Sequence, residues 1–365
     1  ARKHGIASLP SLARGSEEEA PDRRGQGGRA GGGGERGDDE EAAAVEATTA
    51  ALAAARVAQE AEERQQRTPG YWARVGQTIG LAVTASSQRE TSTEATEADG
   101  KAICTALCAN GFADFPLAKW ASGDASLRLT SFARAIDHLE TLGLPPAFQM
   151  VFDEPWAMVT ALAAHLSPAL GQALCYEIAV GNIKPGGEGR PMRRDKPGGD
   201  SKRAFTDEGV PKRCTISLAL TNADPRTSCM YAVPAPRDPH YRCALDADAA
   251  AARDDGDLKT IFAEAHTRVR ALPVAMGDAL VWSHRLIHWE TDHGGGEGTC
   301  KTLSFAMGDT SFQPPLLARA VRDGEPPPFD ARLALIALRL VASHHEDAVP
   351  KRLIPLVLGT LRQSA

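Results

Sequence analysis

A mainly β fold with helices before and after it, an antiparallel sandwich or jelly roll, is what this sequence predicts. From residue 173 onward apolar residues recur at every second position in short runs. In "CTISLALTNA", Ile216, Leu218 and Leu220 alternate with Thr215, Ser217 and Ala219. The runs are joined by glycine- and proline-rich turns, with few of the long helical connections that a parallel sheet requires.

Residues 173–183 ("ALCYEIAVGNI") give the first strand of the series and residues 214–223 the second. "CMYAVPAP" gives a third, followed by a loop and a short helix, "DLKTIFAEAH". "ALPVAMGDALVWSHRLIHWE" supplies a strand, a Gly277-Asp278 turn and one or two strands more. "KTLSFAMG" puts Lys301, Leu303, Phe305 and Met307 on one face. Ahead of this region the period is helical. Leu129, Phe132, Ile136, Leu139 and Leu142 recur at three- and four-residue steps until Gly143, and "EPWAMVTALAAHL" starts with a proline suited to a first turn. These helices are expected to cover the sheet, with His165 a packing or surface residue. Helical periodicity returns after Pro326–Pro328.

Residues 12–68 mix charge, glycine and alanine without one aromatic side chain, so they bury too little apolar surface to offset their ordering entropy. The expected organisation is therefore a low-complexity, largely disordered arm over 1–100, with an alanine-rich helix over 42–64. A single domain over 101–345 and a helical tail over 346–365 packed on it complete the chain. Four of the five tryptophans fall after residue 100.

The net charge of −6 is mild and acids and bases are interspersed, which excludes the one-sided basic face of a nucleic-acid binder. No apolar run is long enough for a membrane span. Seven scattered cysteines without a CxxC pair fit a reducing compartment, and Cys104 and Cys108 share a helix face as core packing. The expected location is intracellular, most simply cytoplasmic. The basic start "ARKHGIASLPSLARG" reads equally as the remains of an organelle-targeting peptide or as a truncated gene model.

Three residues stand in a meaningful order: Asp195 after a glycine-rich strand end, His288 in "WSHRLIHWE", and Lys301 at the start of the following strand. A carboxylate and a histidine on facing strands are two parts of the 2-His-1-carboxylate triad, and a base on the next strand suits an oxo acid's far carboxylate. Singly, each has a plainer role: closing a turn, packing, or extending along an apolar surface. The glycines of "HGGGEGTCKTLS" mimic a phosphate loop, but Cys300 stands where that motif needs glycine and a strand follows where it needs a helix.

The order of these segments resembles the phytanoyl-CoA dioxygenase-like family of Fe(II)/2-oxoglutarate-dependent oxygenases, over residues 147 to about 345. "RRDKPGG" looks like that family's His-x-Asp turn. "TISLALTNADPRTSCMYAVPAP" resembles its next strand and small-residue segment, "GDALVWSHRLIHWE" the strand bearing its distal histidine, and "CKTLSFAMG" the strand bearing its oxoglutarate base. The resemblance implies a double-stranded β-helix (cupin-like jelly roll), with Asp195 and His288 as ligands of Fe(II) and as the catalytic centre. It implies 2-oxoglutarate as co-substrate, Lys301, Ser304 and Trp282 on the cofactor side, and hydroxylation of a small organic molecule. Trp282, Tyr231 and Met230 are candidates for the pocket wall.

Two departures follow. Lys301 stands for an arginine and pairs with a carboxylate as a point charge. Arg193 stands for the first histidine. On an extended strand it shares a face with Asp195, where a guanidinium is expected to neutralise the carboxylate and fill the space of the ion. Either a third ligand comes from His284, His240, His293 or Glu188, or the protein is an inactive oxygenase fold that serves as a binding or scaffold module.

Overall fold

The computed structural model describes residues 35–83, 97–120, 125–195, 204–242, 268–312, 316, 326–343 and 349–364. The chain divides into two units, residues 1–56 and 57–365. In the first unit the described residues are helical, within α1 (Glu35–Gln66), and Val45 and Leu52 are exposed. The alanine-rich stretch expected to be helical lies inside α1. The short helix expected over "DLKTIFAEAH" and the residue Cys243 lie outside the described residues.

In the second unit the helices are α2 (Pro69–Ile79), α3 (Glu97–Asn110), α4 (Ala125–Thr141), α5 (Asp153–Leu170), α6 (Phe329–Ala342) and α7 (Ile354–Ser364). The strands are β1 (Phe112–Phe115), β2 (Ala173–Ile183), β3 (Arg213–Ala219), β4 (Met230–Val233), β5 (Arg270–Leu272), β6 (Ala279–Ser283), β7 (Ile287–Glu290) and β8 (Cys300–Gly308). Every pairing among them is antiparallel. One sheet has the order β1-β6-β3-β8-β2 and the other β5-β4-β7. The segment at Arg193 extends the second sheet, since Arg193 and His288 exchange both backbone hydrogen bonds, at 2.9 and 3.0 Å.

Followed along the chain from β2, the path passes repeatedly between the sheets, with the Arg193 segment second. The resulting orders, first-eighth-third-sixth and fifth-fourth-seventh-second, are the wrapping of a jelly roll. The sheets are antiparallel and do not close into a barrel.

The five-stranded sheet sorts its residues by alternation. Ile178, Val180, Cys214, Ile216, Leu218, Val281, Leu303, Phe305 and Met307 enter one large core with α4, α5 and the helices around them. The opposite, inner face carries small and polar residues: Gly181, Ser217, Ala219, Thr302 and Ser304, with Leu280 and Trp282. Lys301 follows Leu303 and Phe305 to the helix side. Only 4% exposed, its ammonium donates to Asp137 Oδ1 (2.6 Å) and to the Ala133 carbonyl (2.9 Å), both on α4.

The expected boundary at residue 100 is corrected by α2. Thr68 caps it, Gly80 ends it at φ 70°, and Trp72 is fully buried and stacked on Phe148 with ring centroids 5.2 Å apart. A lone tryptophan in a polar stretch was the signal for this anchor. Leu142 also departs from expectation, being 39% exposed just beyond the end of α4. His165 packs against Phe115.

The buried lysine yields a stability prediction. Asp137→Ala leaves the Lys301 ammonium on one carbonyl and is expected to weaken the fold by about 1–3 kcal/mol. Lys301→Met, which removes the buried charge, should change stability less. Urea denaturation of both variants checks this, and an unchanged midpoint in Asp137→Ala would show that the pair contributes nothing.

Candidate active site

The turn into the Arg193 segment delivers Asp195 beneath the inner face of the five-stranded sheet. Asp195 Oδ2 accepts from the Thr215 hydroxyl (2.6 Å) and the Trp282 indole N–H (2.9 Å), residues that pair across β3 and β6. Its Oδ1 lies 3.4 Å from His288 Nε2. His288 is 1% exposed, and its Nδ1 meets the Leu286 carbonyl at 3.0 Å, which requires the proton to sit on Nδ1. That tautomer directs the Nε2 lone pair at a carboxylate oxygen, and Nε2 has no hydrogen-bond partner.

Two electron-pair donors that face each other in a buried site call for a proton or a cation between them. Burial by itself would raise the Asp195 carboxyl. With a proton between the two groups, the charge of the protonated His288 ring and its hydrogen bond, then the Thr215 hydrogen bond and the nearby Arg193 charge, outweigh it and hold the carboxyl well below the usual carboxylate range. A histidine fixed through Nδ1 by a carbonyl, beside a carboxylate whose second oxygen is already held, is how a metal site presets its ligands.

Arg193 departs from its expected behaviour. Its backbone pairs with His288, so position 193 is the one from which a third ligand would meet the pair. Its guanidinium, however, hydrogen-bonds the Pro191 carbonyl at 3.2 Å at the surface instead of lying between the carboxylate and the imidazole. Arg194, pointing the other way, is buried. It bonds Asp238 at 2.5 Å and the Arg285 carbonyl, which pins the turn that presents Asp195.

None of the alternative third ligands reaches the pair. His284 Nδ1 hydrogen-bonds the Arg213 carbonyl and its ring packs on Phe205 and Phe312. His293 braces the glycine loop through Gly295 N–H and the Gly298 carbonyl. His240 follows the Asp238 turn, and Glu188 is exposed. Among the described residues no three His, Cys, Asp or Glu side chains gather to hold a metal. Asp195 and His288 thus fit two protein positions of a facial triad, and position 193 does not fit the third.

On the cofactor side, Trp282 and Ser304 share the inner face with this pair, and Ser304 donates to Ser217 at 2.9 Å. Lys301 is not brought to them, because alternation turns it onto α4. Between the sheets lies a cavity of about 40 Å³, lined in part by Trp282, whose indole N–H holds Asp195. Gly181, Ser217, Met230, Leu280, Glu290 and Thr302 are among its other walls. Tyr231 instead stacks on Trp289.

A cation that sequence reasoning passed over, Arg190, lies beside two of the cavity's wall residues, Gly181 and Glu290. Its Nε is 3.5 Å from Glu290 Oε2. Its Nη2 comes so close to Gly181 that an added Cβ would lie 3.7 Å away, and the same Cβ would meet Thr302 Oγ1 at 2.5 Å. Thr215 was already legible as facing away from Ile216, but only the fold shows that Asp195 lands on it.

No family model matches the chain, and no curated protein matches it. Solved structures do. AviO1 from Streptomyces viridochromogenes Tue57 is 20% identical over 60% of this chain and 99% of its own, with a TM-score of 0.42. SnoK, a non-heme alpha ketoglutarate dependent carbocyclase from nogalamycin biosynthesis, is 15% identical over 65% and 96%, with a TM-score of 0.45. HygX from Streptomyces hygroscopicus, solved with nickel and 2-oxoglutarate bound, is 14% identical over 60% and 88%, with a TM-score of 0.41.

The His284 environment gives a pH prediction. Burial first, then the Arg285 and Arg213 charges, push its pKa down to about 4. A group depressed on folding stabilises fully above its unfolded value of about 6.5, and that contribution is lost as pH falls toward the folded value. Chemical denaturation of His284→Gln should therefore show a shallower loss of stability than the native protein between about pH 6.5 and 4, by on the order of 3 kcal/mol at most. Parallel curves would mean that His284 is protonated without cost.

Proposed function

We propose that this protein is an iron(II)- and 2-oxoglutarate-dependent oxygenase of the jelly-roll type, acting on a small organic substrate, with a metal held by two of its side chains, Asp195 and His288. One observation carries the reading: the preset, buried opposition of Asp195 Oδ1 and His288 Nε2, with no guanidinium between them. The order of the segments around Asp195, His288 and Ser304 supports the phytanoyl-CoA dioxygenase-like family as the finer assignment.

When bound, the iron would supply oxygen activation coupled to oxidation of the oxo acid. The chain's own residues do the rest. Thr215 and Trp282 fix the carboxylate rotamer, and the Leu286 carbonyl fixes the imidazole tautomer. The Ser217–Ser304 hydroxyls and the Arg190 guanidinium are the polar groups offered to an oxo acid from the inner face, Arg190 taking the role first assigned to Lys301.

A second reading, an inactive oxygenase fold used as a binding module, is favoured by Arg193 at the third ligand position and by the removal of Lys301 to α4. Calorimetric titration with manganese(II), with and without 2-oxoglutarate, decides between the two. The oxygenase reading expects binding that the oxo acid tightens and that His288→Ala abolishes. It also expects Arg193→His to raise metal affinity roughly tenfold or more, because position 193 lies directly across from His288. Absence of manganese binding in both the native protein and Arg193→His would leave the binding-module reading.

A further inference from the structure

Two residues before Thr215 on the same face of β3, Arg213 extends its guanidinium across β8 to Glu177 on β2. Nη2 is 2.6 Å from Glu177 Oε2 and Nη1 is 3.2 Å from Oε1. The strand between them permits the crossing, since the β8 residue paired with Arg213 is Gly308 and the next inner-facing one is Ala306.

Glu177 reaches this place through a break in β2. Leu174 pairs with Met307 and Ile178 with Phe305, so Cys175, Tyr176 and Glu177 together face Ala306 alone. Within that bulge Tyr176 has φ 62°, one of two positive values outside glycine among the described residues. A non-glycine residue held there is strained, and bulges of this kind re-aim side chains beside functional sites. Tyr176 itself is buried on the helix side near Trp156. The visible effect of the strain is to turn a carboxylate onto the inner face.

Arg213 is 4% exposed, and its Nε is buried without a hydrogen-bond partner. The Glu177 side chain is 34% exposed, so the pair opens to solvent on one side. A buried N–H with no acceptor is costly, and an oxygen admitted beside it from the exposed Glu177 side would relieve that cost. Glu177 already balances the Arg213 charge, so an incoming anion would face a carboxylate. A hydroxyl, which accepts and donates at once, meets both needs.

We propose that Glu177 and Arg213 form a recognition subsite for a hydroxyl-bearing small molecule of the polyol or sugar type, whose hydroxyl accepts from Arg213 Nε–H and donates to Glu177. Calling that molecule the substrate rests on the oxygenase reading. Thr215, which holds Asp195, is two residues farther along the extended strand, about 7 Å away. The subsite and the Asp195–His288 pair therefore lie on the same face of one sheet, the guanidinium crossing toward β2 and Asp195 lying on the β6 side.

The test is saturation-transfer NMR of the full chain without metal, with methyl β-D-glucopyranoside as the polyol probe and cyclohexanecarboxylate as the anionic one. Native protein is expected to saturate the glucoside in preference to the carboxylate. Glu177→Ala should weaken the glucoside roughly tenfold or more and reverse the preference, because Arg213 then presents an unbalanced cation. A purely structural ion pair would not reverse a preference. Glu177→Gln, of unchanged shape, serves if the alanine variant misfolds, with the same reversal expected. Because the assay contains no metal, a failure of the metal centre and a failure of this subsite are told apart. Lack of glucoside saturation in native protein, or an unaltered preference in both Glu177 variants, overturns the proposal.

Discussion

The two-residue period of the five-stranded sheet is the constraint from which the rest follows. One face of β2, β3, β6 and β8 must be apolar to pack under α4 and α5, which leaves the other face free to be small and polar. On that free face the serine, threonine, alanine and glycine side chains keep the sheets from filling the space between them. The same alternation brings Thr215 and Trp282 to Asp195 and sends Lys301 the opposite way.

At the centre, electrostatics and hydrogen bonding are arranged in layers. The Leu286 carbonyl selects the His288 tautomer, while Thr215 and Trp282 occupy one carboxylate oxygen and leave the other turned to Nε2. The buried Arg194–Asp238 pair fixes the backbone that presents Asp195. Arg193, adjacent in sequence, has the opposite fate because neighbouring side chains on an extended segment point to opposite sides. Its guanidinium ends at the surface on its own chain, contributing charge at a distance.

The strained turn of β2 and two buried polar atoms without partners bear on the same inner face. The positive φ of Tyr176 accompanies the re-aiming of Glu177, and the buried atoms without partners include both His288 Nε2 and Arg213 Nε. An interior built only for stability would satisfy or eliminate such groups. On the helix side Trp72 and Trp156 place their indole N–H groups on carbonyls, whereas Trp120 Nε1 and Gln149 Oε1 are buried without partners.

What the sequence determined by itself was the set of local periods. "ALCYEIAVGNI" is a strand because its apolar side chains alternate, and the Ile216, Leu218, Leu220 row and the Leu303, Phe305, Met307 row could be assigned to a packed face, since period-two burial is a property of each strand alone. The Asp195–His288 juxtaposition was legible too, through the order of its segments. Lys301 was mislaid for an instructive reason: its own strand pattern already grouped it with core residues, yet its charge argued for the pocket. Only the tertiary structure, by supplying Asp137 and the Ala133 carbonyl from α4, made a buried ammonium tolerable on the apolar side. Trp72 in the core, Arg190 at the cavity and the Arg213–Glu177 crossing were likewise decided there. Each joins residues far apart in the chain, and such contacts depend on which strands lie side by side, a matter on which local periodicity is silent.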